Sequence, residues 1–387
     1  MRLPSAFVVL TVAALAAGCS IPVAPSPRPD PAIASLKDLG VEGRTYVSDL
    51  GAEKSFRLNR VFTIGDDLLL EDINGHLTYL DGATLAPRWA YYGLPRPFDE
   101  SPDWTESSII GLSKDRVYVL SRRNGLEELD PATASVVPSA APVANDTTLY
   151  IPTYRTPGGN KTVVAVNLAD GYRGWGIRTE DDVEVDLAKA GLHGGDMVYA
   201  ATAGGDLYGI PAFVATKRDP EPAWTVNLRT GIHRNISVAG DDLGVVTDDN
   251  RLVVLDRITG GYRWEAFPNS GDRAASGAQF STRHAFYSCG GEFRAFDRAT
   301  GAKAWAVKGA AAFVAERGSR TILTDGEGTL IAVETSSGKV LGHRAMPGWR
   351  FPTRNKPLPK NADDKVPDMT IIGVSGAGMV IGVETGW

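Results

Sequence analysis

Two cysteines, five histidines and several acidic clusters are the side chains here whose chemistry could go beyond packing. His76, His193, His233, His284 and His343 are scattered, and none shows the His-x-x-x-His or Cys-x-x-Cys spacing that brings ligands onto one face. No metal centre is expected, and each histidine is read as a surface or turn residue. The run Glu180-Asp181-Asp182-Val183-Glu184-Val185-Asp186 concentrates charge but lacks the glycine and closing glutamate of an EF-hand loop, so it is read as a solvated acidic loop. Asp66-Asp67 and Asp241-Asp242 precede apolar runs at equivalent places, which assigns them to turns and not to an acid–base pair. Gly194-Gly195 and Gly376-Ala377-Gly378 have no following helix on which a phosphate could rest, and no Gly-x-Ser-x-Gly elbow occurs. No catalytic residue and no cofactor site is expected.

One stretch, Met346 to Pro367, has a composition of its own. Pro347, Pro352, Pro357, Pro359 and Pro367 oppose regular structure, while Trp349 and Phe351 stand among Arg350, Arg354, Lys356 and Lys360. Two readings stay open. It is an elongated connection whose aromatics tuck under the domain, or a partner-binding loop built on Trp349, Arg350, Phe351, Arg354, Lys356 and Lys360, since Trp and Arg are enriched at interface hot spots.

At the N-terminus Arg2 precedes an apolar run, Ala6 to Ala17, too short to span a bilayer comfortably, so it is read as a signal-peptide core. It ends in Leu15-Ala16-Ala17-Gly18-Cys19-Ser20, which resembles the lipobox of bacterial lipoproteins, with Ala16 where leucine is commonest. The resemblance implies cleavage between Gly18 and Cys19 and acylation of Cys19 on its thiol and new amino group. Two or three acyl chains anchor stably, because each buried CH₂ contributes about 0.8 kcal/mol. The Pro-, Ser- and Ala-rich stretch that follows, Ile21 to Ile33, cannot form a core. The expected organisation is a signal peptide over 1–18, a lipid-anchored linker over 19–40 and one folded domain over 41–387.

Cys289 is then alone in the exported part, so stability must come from burial and not from disulfides. Without Arg2 the 40 basic residues become 39 against 46 acidic ones, a formal charge of −7. A mildly acidic chain with no basic stripe excludes nucleic acid as a partner.

The elements that position these residues are short apolar runs bounded by Gly, Asp and Asn, without sustained helical periodicity, which indicates an all-β chain. The sequence repeats. Val254-Leu255-Asp256-Arg257-Ile258-Thr259-Gly260-Gly261-Tyr262-Arg263-Trp264 aligns without gaps on Ala295-Phe296-Asp297-Arg298-Ala299-Thr300-Gly301-Ala302-Lys303-Ala304-Trp305. Partial copies are Tyr79-Leu80-Asp81 with Trp89, Glu128-Leu129-Asp130, Ala165-Val166-Asn167 with Trp175, a degenerate one around Ile210 with Trp224, Ala332-Val333-Glu334 with Gly338, and Gly382-Val383-Glu384. Upstream of most copies stands an apolar strand and a Gly-containing turn, such as Asp67 to Leu70 before Asn74-Gly75, or Arg116 to Leu120 before Asn124-Gly125. The Asp caps turn amides, the Gly four residues on takes a left-handed conformation, and the Trp buries between neighbouring sheets. Copies recur every 37 to 50 residues or so, the length of a four-stranded propeller blade.

The frame Ala/Val-x-Asp-x-x-Thr-Gly-x-x-x-Trp resembles the quinoprotein-type (PQQ-like) repeat shared by PQQ-dependent dehydrogenases and the BamB lipoproteins of outer-membrane β-barrel assembly, and the likeness runs from about Thr45 to the end. It implies an all-β propeller of about eight four-stranded blades, or seven if the last copy is only a closing hairpin. That copy lacks an outer strand, which Arg44 to Leu50 could supply. In the alcohol-oxidising dehydrogenases the resemblance implies a disulfide between adjacent cysteines, a calcium site and an Asp base. This chain has no Cys-Cys pair and lacks the inserted segments, so no enzyme and no cofactor is expected. The expected protein is a monomeric, non-enzymatic scaffold, tethered to a membrane by its N-terminal lipid and binding an envelope protein, in its most concrete version BamB-like in outer-membrane protein assembly. It would face the periplasm from the outer membrane, or sit outside the cytoplasmic membrane where no outer membrane exists. The alternative is a PQQ-dependent redox enzyme or a small-ligand sensor using the propeller channel.

Overall fold

A computed structural model of the chain describes residues 45–49, 57–114, 116–129, 137–154, 162–169, 171, 173–179, 183, 187–189, 197–212, 219–232, 236–267, 274, 276–352, 369–376 and 379–385. Among these residues the strands form eight antiparallel four-stranded sheets, the blades of a β-propeller. Blade 1 consists of Leu58–Ile64, Asp67–Asp72, Leu77–Leu80 and Pro87–Tyr91, hydrogen-bonded in that order from the inside outward. Blade 2 is Asp103–Trp104, Ser108–Ser113, Arg116–Ser121 and Glu127–Leu129, and blade 3 is Val143–Ala144, Thr148–Pro152, Val163–Asn167 and Arg173–Ile177. Blade 4 is Ala188–Lys189, Met197–Ala201, Asp206–Pro211 and Trp224–Asn227, and blade 5 is Ser237–Ala239, Asp242–Val246, Leu252–Asp256 and Tyr262–Ala266. Blade 6 is Gln279–Phe280, His284–Cys289, Glu292–Asp297 and Lys303–Lys308, and blade 7 is Ala312–Arg317, Arg320–Thr324, Thr329–Glu334 and Val340–Ala345.

Blade 8 closes the ring. Trp349–Arg350, Met369–Ser375 and Met379–Thr385 supply its three inner strands, and Thr45–Asp49 supplies the outer one, with Tyr46 opposite Gly382. The strand expected near Arg44 to Leu50 is thus in place, and the last copy is a full blade. Pairing across the closure removes an open edge on Met379–Thr385.

In blades 1 to 7 the second and third strands are sandwiched between two neighbouring blades, so residues of both parities are buried. Leu68, Leu70 and Leu80 meet Val374 of blade 8, while Leu69, Leu77 and Tyr79 meet Ile109, Tyr118 and Leu120 of blade 2. This is why Leu68, Leu69 and Leu70 form an unbroken apolar run and Asp67–Asp72 is buried throughout, where a half-buried strand would alternate. The core is therefore a series of layers between blades.

The repeat motif explains how one blade registers on the next. Asp256 and Asp297 accept the amides of Thr259 and Thr300 at 2.9 and 2.8 Å, and the amides of Gly260 and Gly301 donate back to the Asp carbonyls. The glycines lie at φ +69° and +73°, and a Cβ on either would fall under 3 Å from the indole of the preceding blade, Trp224 or Trp264. Each indole N–H donates to the same turn: Trp89 to the Arg122 carbonyl, Trp224 to Arg257, Trp264 to Arg298 and Trp305 to Thr335. Trp264 and Trp305 are accordingly buried.

One frame is corrected. In blade 2, Arg116–Ser121 is the third strand and not the second, so Asn124-Gly125 closes the turn that receives Trp89, and Ser121 holds the Asp position. Glu128-Leu129-Asp130 imitates the motif, but Glu127–Leu129 is the outer strand.

Candidate functional site

Antiparallel order gives the ring two unlike faces. One carries the turn between first and second strands and the Asp-Gly turn between third and fourth. The other carries the hairpin between second and third strands and the connections to the next blade.

On the turn face two sets of buried charge occupy matching places four blades apart. In blade 1, Asp67 accepts the Tyr79 hydroxyl at 2.6 Å, the Gly82 amide at 3.0 Å, and Arg88 and, from blade 2, Arg122 at 3.1 Å each. In blade 5, Asp242 accepts Arg263 at 2.5 Å and Arg298 of blade 6. Arg88 and Arg263 also reach Asp81 and Asp256 at 2.5 and 2.8 Å. The Arg88 guanidinium, helped by turn amides and opposed by burial, holds the Asp81 carboxyl at about 2; Arg263 and the Thr259 amide do the same for Asp256. Burial, then the bond to Asp67, raises the Tyr79 hydroxyl above the usual tyrosine range, so it stays a donor. The expectation that Asp67 and Asp242 serve turns is extended: their charges also join consecutive blades.

A third buried carboxylate lies toward the opposite face. Glu71 is fully buried and accepts Arg60 at 2.8 Å, Asn59 at 3.0 Å and the Phe98 amide at 2.6 Å, which fixes the connection into blade 2. Similar polar latches join the innermost strands: Asp103 accepts the Ala144 amide, Gln279 accepts that of Phe313, and Ser237 donates to the Ala278 carbonyl. These acids are held as hydrogen-bond acceptors between blades.

The connection face presents apolar side chains to solvent. Ile73 and Tyr92 of blade 1, Val137 and Tyr154 flanking blade 3, and Phe267 after blade 5 are between 49% and 65% exposed. Tyr92 meets the His76 ring edge-on at 4.9 Å, and the Arg251 guanidinium lies 5.9 Å from the Phe267 ring centre. These side chains belong to hairpins and connections whose alternation signal is short, so the sequence did not single them out.

Of the residues proposed for partner binding, Trp349 and Arg350 form the innermost strand of blade 8, and Phe351 is buried just beyond it. The strand, paired with Val374 and Ser375, replaces part of what was expected to be irregular. Trp349 is half-buried, and Arg350 is exposed, its guanidinium donating to the Asn59 carbonyl of blade 1. Arg354, Lys356 and Lys360 lie outside the described residues, as do Gly18, Cys19, His193, His233 and, except for Val183, the acidic run. His76 stands 3.0 Å from the Asp72 carboxylate and His343 lies on an outer strand, whereas His284, read as a surface or turn residue, is buried at the head of a second strand, 3.4 Å from Glu316 between blades 6 and 7. Cys289 is packed with Trp264, Tyr287 and Phe296 between blades 5 and 6. A buried single thiol there does not fit the adjacent-cysteine bridge that the dehydrogenase resemblance implies beside PQQ.

The sequence family described as outer membrane protein assembly factor BamB matches residues 159–287, 214–350 and 289–377, overlapping windows that together exceed half of the chain. No curated protein sequence matches significantly. Among solved structures the chain is similar to BamB from Moraxella catarrhalis, at 14% identity and TM-score 0.60 over 87% of this chain and 97% of that one. It is similar to the computationally designed Ika8 protein, at 12% identity and TM-score 0.60 over 89% and 98%. It is also similar to the quinohemoprotein alcohol dehydrogenase from Comamonas testosteroni, at 12% identity and TM-score 0.60 over 90% of this chain and 77% of that one. At such identities the structural likeness is one of fold.

Proposed function

The chain belongs to the family described as outer membrane protein assembly factor BamB, and from that premise we propose that it is a non-enzymatic scaffold of the cell envelope that binds a protein partner during outer-membrane protein assembly. One observation carries this reading. Apolar and aromatic side chains stand exposed on the connection face of a ring whose buried carboxylates Asp67, Glu71 and Asp242 are engaged in joining blades. Tyrosine and phenylalanine are enriched at protein interfaces relative to the rest of a protein surface. Lipid on Cys19 would hold the scaffold at the membrane, and Arg354, Lys356 and Lys360 would steer association as rim charges do.

The test is a pair of measurements on purified protein and membranes. Tyr92→Ser with Phe267→Ser should reduce cross-linking to envelope proteins at least several-fold while leaving the melting temperature within a few degrees. Unchanged cross-linking removes the connection face from the account. Saturable binding of PQQ with calcium, accompanied by dye-linked oxidation of alcohols, would favour the redox enzyme instead.

A further inference from the structure

The seams between blades are not equal. The position opposite the residue two before the motif Asp holds Trp89, Trp175, Trp264 and Trp305 in blades 1, 3, 5 and 6, and blade 4 places Trp224 across Gly209. In blades 2, 7 and 8 the same register is held by Leu129, Gly342 and Tyr46. The tryptophans at this position pack into the seam with the following blade; among the described residues blade 8 carries none at this register and the blade before it carries Gly342, while Trp349 lies on blade 8's innermost strand. Every other blade has at least one tryptophan at a seam.

Blade 1 shows how the seam with blade 8 is filled. The repeat position occupied by Gly260, Gly301 and Gly338 is Leu85 in blade 1, and its amide donates to the Asp81 carbonyl at 2.7 Å as the glycines do. Leu85 keeps their left-handed backbone, φ +58°, which a branched side chain adopts only under constraint. It is 1% exposed and packs in the cluster of Leu58, Leu68, Leu70, Leu80 and Val374. A strained leucine thus stands where other seams bury an indole ring and satisfy its N–H.

We infer that blade 8 is the opening unit of the ring, and that Thr45–Asp49 is a releasable strand that leaves before any other blade loosens. Local opening follows the weakest cooperative unit, and here that unit lacks the indole staple on both sides. Residues upstream of Thr45 are joined directly to this strand, so force on that part of the chain reaches the least-stapled blade first. Release uncovers the edge of Met379–Thr385, which then offers unpaired backbone groups to another strand.

Native-state hydrogen exchange on the full chain tests this. Amides of Met369–Ser375 and Met379–Thr385 are compared with the equivalent strands Asp242–Val246, Leu252–Asp256, His284–Cys289 and Glu292–Asp297. Thr45–Asp49 is compared with the outer strands Tyr262–Ala266 and Lys303–Lys308. Blade 8 should show at least about tenfold lower protection, the equivalent of about 1.4 kcal/mol. Leu85→Gly, which relieves the backbone but empties the seam, should lower protection in blade 8 further and leave blades 5 and 6 unchanged. Equal protection in the three blades, or a Leu85→Gly effect spread evenly over the ring, overturns the inference.

Discussion

At Gly301 a left-handed backbone and a crowded Cβ position act together, since a methyl there would fall 2.6 Å from the Trp264 ring; Gly309, at φ +76°, has nothing within 4 Å. Gly309→Ala should therefore cost only the backbone strain, about 1 to 3 kcal/mol. Gly301→Ala should cost a further 1 to 3 kcal/mol or so for overpacking, and denaturant unfolding of the two variants measures the difference. Asp81 and Asp256 give the pH dependence. Their folded values of about 2 lie below the unfolded value of about 3.9, so their contribution is complete above that value and is lost as pH falls toward 2. Arg263→Met should raise the midpoint of acid unfolding, and an unchanged midpoint would show that Asp256 is not held by that guanidinium. The turn role of such residues was legible because their turn amides are two to four positions away. Asp67 with Arg122 and Glu71 with the Phe98 amide were not, because 55 and 27 residues separate the partners and no local pattern records them.

Among the elements, the outer strands of blades 5 and 6 show what a tryptophan contributes. Trp305 fills the layer with Phe286, Phe293 and Phe313 and donates to Thr335 of the next blade. Trp305→Ala and Trp264→Ala should each destabilise by about 3 to 5 kcal/mol, measured by chemical denaturation. A loss under 1 kcal/mol would mean the indoles do not join the blades. The strand pattern was readable wherever Asp, Thr, Gly and Trp all survive. It misled in blade 2, where Ser121 replaced the Asp while Glu128-Leu129-Asp130 reproduced the look of a strand end. The strand Trp349–Arg350 was hidden because only two residues pair, between prolines at 347 and 352.

For the whole molecule, the composition and repeat predicted a propeller, and the ring closes with the strand foreseen for it. What the ring binds was less legible, because a fold built from repeats records how blades join and leaves recognition to the loops. The role proposed for this chain is that of a membrane-tethered assembly scaffold. Its most direct measurement is the amount of folded β-barrel protein in the outer membrane of the source cell after deletion of the chain and after return of the wild type or Cys19→Ala. Barrel protein should fall on deletion, recover with the wild type, and recover less with Cys19→Ala. Unchanged barrel protein in the deletion, with the envelope otherwise intact, would contradict it.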